Sequence, residues 1–237
     1  MSKVNERVFV ALDNMTKEEI FTFLDSANGR IKNIKIGLEL FNKYGPQIVN
    51  ELCERYPTKI FLDIKLHDIP NTVSKAILSL AGLPIDYLTI HISGGQKMLE
   101  EALKARDEAI PNCKLLGVSI LTSLDQEDLK LIWGVDDINK SFIRLFEIAH
   151  QSKIDGVICS ANELKALRSF DNSLIAVCPG IRFEDEISSG DISDQKRVLS
   201  PQKAIKEGVD FLVIGRSLTK ASSLKDRLDQ LENMPNK

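Results

Sequence analysis

Two lysines and three aspartates in this chain stand where packing gives no account of a charge. The run Phe61-Leu62-Asp63-Ile64-Lys65-Leu66-His67-Asp68-Ile69-Pro70-Asn71-Thr72 carries three of the five, at the spacing D-x-K-x-x-D, where an apolar segment ends. That segment reads as a buried strand. Side chains alternate faces along a strand, so Asp63 and Lys65 share one face and Leu62 and Ile64 the other. A lysine beside a carboxylate is costly to bury unless the charges are paired and put to use. Lys35 sits mid-strand among isoleucines in Asn33-Ile34-Lys35-Ile36-Gly37, and Asp13 follows the apolar run Val8-Phe9-Val10-Ala11-Leu12. A casual surface salt bridge accounts for one polar strand end, but not for five such residues together. The pattern points to catalysis.

The elements that must position these residues alternate regularly. Strands are expected at Val8–Leu12, Asn33–Gly37, Lys59–Ile64, Tyr87–His91, Lys114–Leu121, Gly156–Cys159, Leu174–Val177 and Phe211–Ile214. Nearly all are followed by a helical pattern. Thr16 caps the first helix with Glu19 three residues on. A second runs through Val49 and Leu52, and Pro70 starts another with its φ preset, leaving Asp68 in the turn before it. Gly94-Gly95 opens the helix after the fourth strand, and helical segments flank Asp136-Asp137. Strand–helix units repeated in this way require parallel pairing with crossover helices. Eight of them in 237 residues is the length and count of a (β/α)8 TIM barrel. The open doubly wound alternative fits less well, because Leu12-Asp13-Asn14-Met15 is no G-x-G-x-x-G phosphate loop. No linker, low-complexity tract or composition shift divides the chain, so a single barrel domain over 1–237 is expected.

Composition narrows the function classes. Hydrophobic residues are 43% and charged residues 27% of the chain, with a net charge of -3, which suits a soluble globular protein. No basic stripe appears, which argues against nucleic acid as a partner. No apolar run approaches the ~18 residues of a membrane span. The charged start, Met1-Ser2-Lys3-Val4-Asn5-Glu6-Arg7, argues against a signal peptide. Cys53, Cys113, Cys159 and Cys178 are scattered without a C-x-x-C pair and read as reduced thiols of a cytoplasmic protein.

In such a barrel the active site lies at the C-terminal ends of the strands. Asp13, Lys35, Asp63, Lys65, His91, Thr122, Arg182 and Arg216 all fall at or just past such ends. Phe9, Ala11 and Asp13 share one phase, as do Lys35 and Gly37, and Phe61, Asp63 and Lys65. The opposite phase is apolar and would pack under the helices. Late in the chain, Pro179-Gly180-Ile181-Arg182 follows the seventh strand and Gly215-Arg216-Ser217 the eighth. Loops at these places commonly bind phosphate through backbone N–H groups, and Arg216 could add a bidentate contact. Between them Phe183–Ser200 is polar and reads as a long irregular lid.

These motifs together resemble orotidine 5'-phosphate decarboxylase. The resemblance rests on D-x-K-x-x-D-I-P-N-T, Ile34-Lys35-Ile36-Gly37, Pro179-Gly180-Ile181-Arg182, Asp194-Gln195-Lys196-Arg197 and Gly215-Arg216, and runs from Asp13 to Arg216. Cys178 stands where threonine is commoner in that family. The chain ends soon after the eighth unit, so the likeness is to the monofunctional, bacterial-type enzyme, without a fused phosphoribosyltransferase.

The resemblance implies conversion of orotidine 5'-phosphate to UMP and CO2, the last step of de novo pyrimidine nucleotide biosynthesis, with neither metal nor organic cofactor. It implies that Lys65 stabilises and protonates the C6 carbanion within a Lys35/Asp63/Lys65/Asp68 charge network. Asp63 would stand by the departing carboxylate, and Lys35 and Asp13 would contact the ribose. Asp68, Ile69 and Thr72 would complete the site of the neighbouring subunit in a homodimer. Thr122 would lie near the substrate, and Arg182, Gln195, Gly215 and Arg216 would take the phosphate and the closing lid. His67 and His91 would be structural.

Two other readings stay open. One is a metal-dependent sugar-phosphate decarboxylase or hexulose phosphate synthase on the same barrel. Those place a carboxylate metal ligand in the second strand, where this chain has Lys35, a cation that would repel Mg²⁺. The other is a noncatalytic nucleotide-binding barrel, against which the retention of Lys65 with both aspartates argues.

Overall fold

The computed structural model describes residues 4–189 and 198–235. A short 3₁₀ turn, Val4–Arg7, leads into β1 (Val8–Ala11), α1 (Lys17–Ser26), β2 (Asn33–Gly37), α2 (Leu38–Tyr44) and α3 (Gln47–Arg55). Next come β3 (Lys59–Leu66), α4 (Pro70–Leu78), β4 (Tyr87–His91), α5 (Gln96–Ala109) and β5 (Lys114–Val118). The middle is α6 (Gln126–Trp133), α7 (Ile138–Ser152), β6 (Gly156–Ile158), α8 (Ala161–Phe170) and β7 (Ile175–Cys178). The chain closes with α9 (Glu184–Ser189), α10 (Pro201–Glu207), β8 (Phe211–Ile214), α11 (Arg216–Thr219) and α12 (Leu224–Glu232). The strands form a closed parallel barrel in sequence order, with β8 paired to β1. This is the expected (β/α)8 architecture.

Alternation along the strands builds two cores. The outward phase (Val8 and Val10, Ile34 and Ile36, Leu62, Leu88 and Ile90) packs under the helices in one large apolar layer. The inward phase fills the barrel with Phe9, Phe61, Tyr87, Leu116 and Val177. Phe9 sits at the centre of this plug, its ring centroid 5.0 Å from Phe61, 4.9 Å from Tyr87 and 5.0 Å from Phe211. Tilted and edge-on aromatic pairs add about 0.5–1.5 kcal/mol each beyond their buried area. The plug therefore gives the polar residues above it a packed apolar floor.

Register is pinned from below by a recurring device. Asp86, Asp155 and Asp210 each stand just before an even-numbered strand. Their carboxylates accept the N–H of Ile60 at 2.8 Å, Leu115 at 2.9 Å and Ala176 at 2.8 Å, on the preceding odd strand. Asn33 does related work at β2, donating to the carbonyl of Val8 at 3.1 Å. Arginines on two helices lock the later carboxylates, Arg106 to Asp155 at 2.7 Å and Arg168 to Asp210 at 2.6 Å.

Local signals hold where they were strong. Thr16 and Glu19 form the capping box of α1, and Pro70 is the first residue of α4. Other expectations change: β5 stops at Val118, three residues before its expected end, and β3 runs on to Leu66. The helical stretch after β2 is two helices, because Gly45 at φ 65° and Pro46 break it. The stretch Phe183–Ser200 is not uniformly irregular: α9 occupies its start, and Ile181 bridges Leu199. No disulfide is formed among the described residues. No helix among them is long and apolar enough to cross a membrane.

Candidate active site

A cavity of about 340 Å³ opens at the C-terminal ends of the strands. Its floor is Ala11 and Phe61, the top of the inward phase, and Val118, Ile120 and Ile158 form an apolar wall. Four charged side chains from β1 to β3 make a line of alternating sign along its other side. Lys35 Nζ lies 2.8 Å from Oδ2 of Asp13 and 3.4 Å from Oδ2 of Asp63. Lys65 Nζ lies 2.8 Å from Oδ1 of Asp63. Lys35 is 7% exposed and Asp63 9%, so the central pair interacts in a medium far less screening than water.

Burial alone would push the Asp63 carboxyl up. The ammonium groups of Lys35 and Lys65, with hydrogen bonds from Lys65 and Thr89, more than offset it and hold the group below the usual range. Asp63 is therefore an anion at neutral pH, and its two oxygens are committed to different lysines.

Gly37 makes the line possible. A Cβ there would stand 2.3 Å from Oδ1 of Asp13 and 3.1 Å from Nζ of Lys35. The first is far inside van der Waals contact, so a side chain at this position would displace the Asp13 carboxylate from where it meets the lysine.

Lys65 keeps the face that alternation gives it but has an unusual backbone. It has φ 46°, a left-handed conformation rare for a side-chain-bearing residue within a strand. Pairing of β3 with β4 shifts at this point, from Leu62 opposite Leu88 to Leu66 opposite Ile90. Across this bulge Lys65 still lines the cavity beside Asp63, and bulges are common beside functional sites. Thr89, fully buried on β4, accepts the Lys65 N–H at 2.8 Å and donates to Oδ1 of Asp63 at 3.0 Å. Sequence reasoning missed Thr89. The available signal was its place between Tyr87 and His91 in the inward phase of β4.

His91 packs against His67 with ring centroids 5.0 Å apart. Burial first, then the neighbouring His67 and Lys65, lower its pKa to about 4. The imidazole is thus neutral near pH 7, and neither histidine lines the cavity.

β7 and β8 bring basic residues to the sector next to β1. Gly180, Arg182, Gly215 and Arg216 line the same cavity. Arg182 is buried, and its Nη1 donates to Oγ of Ser217 at 3.1 Å. Thr122, past β5, lines the cavity as well.

Asp68, Ile69 and Thr72 do not join it. All three are exposed, Ile69 at 65%, and Asp68 Oδ1 accepts the N–H of Ile69 at 2.7 Å. None of the three lines the cavity of their own chain. Gln195, with Asp194, Lys196 and Arg197, lies outside the described residues. Among the described residues no group of three or more His, Cys, Asp or Glu is placed to hold a metal ion.

Comparison with known proteins agrees with this geometry. Residues 6–231 match the model of the "Orotidine 5'-phosphate decarboxylase / HUMPS family". The chain is 38% identical over 235 residues to an orotidine 5'-phosphate decarboxylase of Coxiella burnetii, covering 98% of each. It is 40% identical over 228 residues to that of Tolumonas auensis, covering 95% of this chain and 96% of the relative. The crystal structure of orotidine 5'-phosphate decarboxylase from Lactobacillus acidophilus superposes with a TM-score of 0.80 at 31% identity, covering 95% of this chain and 98% of that one. With the family model spanning nearly all of the barrel and both lysines of the charged line in place, this chain belongs to the orotidine 5'-phosphate decarboxylase / HUMPS family.

Proposed function

We propose that the protein is a carboxy-lyase that converts orotidine 5'-phosphate to UMP and CO2. The observation that carries the reading is the alternating line Asp13–Lys35–Asp63–Lys65. When the bond from C6 to the carboxylate breaks, its electron pair stays on C6 in the plane of the ring. The π system cannot delocalise it, so stabilisation must come from a charge already in place. Lys65 is such a charge, held by Asp63 at 2.8 Å. Its ammonium stabilises the developing carbanion and gives it a proton, leaving UMP, CO2 and a neutral amine that water reprotonates. Asp63 stands by the departing carboxylate, and Lys35 with Asp13 contacts the ribose hydroxyls.

The phosphate is assigned to Arg182, Gly215 and Arg216, with Gln195 from the loop above, and Thr122 is placed near the base. Binding energy from the phosphate, remote from the reacting carbon, can orient the ring against Lys65. Asp68, Ile69 and Thr72 are assigned to the site of a second subunit in a homodimer. Their exposure outside their own cavity supports that assignment. No metal or organic cofactor takes part in this scheme, and neither nucleic acid nor membrane is a partner. Scattered cysteines without a disulfide among them support a cytoplasmic location.

The matched family also includes metal-dependent sugar-phosphate enzymes in this reading, and Lys35 weighs against that branch. Its ammonium already occupies the space between the two carboxylates, where a divalent ion would have to sit. Direct assay discriminates the readings. Orotidine 5'-phosphate should yield UMP, and with Mg²⁺ present neither a 3-hexulose 6-phosphate nor a 3-keto sugar-acid 6-phosphate should be turned over. The opposite pattern would assign the chain to the sugar-phosphate branch, and no turnover of either would leave a binding barrel.

A further inference from the structure

The described residues include four non-glycine residues with positive φ: Asn14, Asn28, Lys65 and Lys153. Asparagine tolerates this conformation, and Lys153 is the C-cap of α7. Lys65 alone of the four lies inside a strand. A left-handed residue there is strained and persists only where its surroundings enforce it.

Thr89 is placed to do that. Four residues of β3 advance from Leu62 to Leu66 while β4 advances only from Leu88 to Ile90, so Thr89 is the β4 residue opposite the bulge. The bulge removes Lys65 from the backbone ladder, and the Thr89 hydroxyl receives its N–H instead, at 2.8 Å. The same hydroxyl donates to Oδ1 of Asp63 at 3.0 Å, the oxygen that Lys65 Nζ contacts at 2.8 Å. One buried oxygen thus ties the backbone of Lys65 to the carboxylate that holds its ammonium. Without it the part-buried Lys65 N–H loses this partner and Asp63 loses a donor.

We propose that Thr89 is a positioning residue: its hydroxyl fixes the left-handed turn at Lys65 and thereby sets where the Lys65 ammonium stands relative to Asp63. The inference rests on the reading of Lys65 as the proton donor and deepens it. Valine has the shape of threonine without the hydroxyl, and serine keeps the hydroxyl without the methyl group.

The test measures kcat and KM for orotidine 5'-phosphate, and the Kd of UMP, in wild type, Thr89→Val and Thr89→Ser. Thr89→Val should lower kcat about 10- to 100-fold, as a misplacement of about 1 Å does. KM and the Kd of UMP should stay within about threefold, since the lost interaction acts on the reacting group. Thr89→Ser should recover most of the loss. If Thr89→Val does not fold, Thr89→Ser and Thr89→Ala replace it. Both lack the methyl group and only serine has the hydroxyl, so about a tenfold gap in kcat supports the proposal. Equal kcat in variants with and without the hydroxyl, beside an active wild type, overturns the role of Thr89 alone. A wild type that makes no UMP overturns the reading of the site, and this proposal with it.

Discussion

Lys35 Nζ stands 3.4 Å from Oδ2 of Asp63 while its other carboxylate contact, to Asp13, is 2.8 Å. Lys35 thus links Asp63, which also holds Lys65, to Asp13 at the other end of the charged line. It is also one of the two cations that hold the Asp63 carboxyl below its usual range against the effect of burial. Replacing it with methionine keeps the length and removes the charge. The Asp63 pKa then rises. If the reaction needs Asp63 ionised, the acidic limb of the kcat/KM profile should move to higher pH in Lys35→Met, because protonation now sets in at higher pH. An acidic limb unchanged in the variant would separate Asp63 from that limb.

Lys65→Ala tests the proton donor. Removing a general acid that also stabilises the carbanion should cut kcat by about 10³-fold or more, with much less effect on the Kd of UMP. The barrel should fold, because the apolar layer under the helices does not involve Lys65. Near-normal turnover in this variant would take Lys65 out of the chemistry.

Gly37→Ala tests the packing of the charged line. Gly37 has φ −90°, which alanine adopts without strain, so the backbone is not the obstacle. The obstacle is Oδ1 of Asp13, 2.3 Å from the new Cβ. Displacing Asp13 from Lys35 should lower kcat/KM by about 10- to 100-fold, while the melting temperature changes little. Kinetics matching the wild type would mean that the Asp13 contact is dispensable.

Asp68 tests the shared site. It lies three residues beyond Lys65 yet is exposed outside the cavity that Lys65 lines. Inactive Asp68→Ala and inactive Lys65→Ala proteins, mixed under subunit exchange, form heterodimers in which one site carries both defects and the other neither. About half the dimers are mixed and each has one intact site, so activity should rise toward roughly a quarter of wild type. If mixing restores nothing, Asp68 acts within its own chain.

Much of this was legible from residue types. β2, β4 and β8 span the runs read from apolar patterning, because short buried strands between helical segments carry a clear signal. The inward phase of Phe9, Lys35 and Phe61 followed from period two alone. What escaped notice depends on backbone conformation. The left-handed turn at Lys65 leaves no trace in the pattern, since the bulge keeps both Asp63 and Lys65 on the cavity side. Thr89 in a β-branched run reads as strand propensity rather than as a hydrogen-bonding group. Asp68 is exposed and does not line the cavity of its own chain, a placement that the D-x-K-x-x-D spacing alone does not fix.

In the proposed function fixed charges on this chain suffice for the decarboxylation, with the Lys35 ammonium between the Asp13 and Asp63 carboxylates. UMP and CO2 formation from orotidine 5'-phosphate, measured with EDTA in excess, tests it most directly. Equimolar UMP and CO2 at a rate unaffected by the chelator is the result this site predicts. Loss of activity on chelation, restored by Mg²⁺, would contradict it.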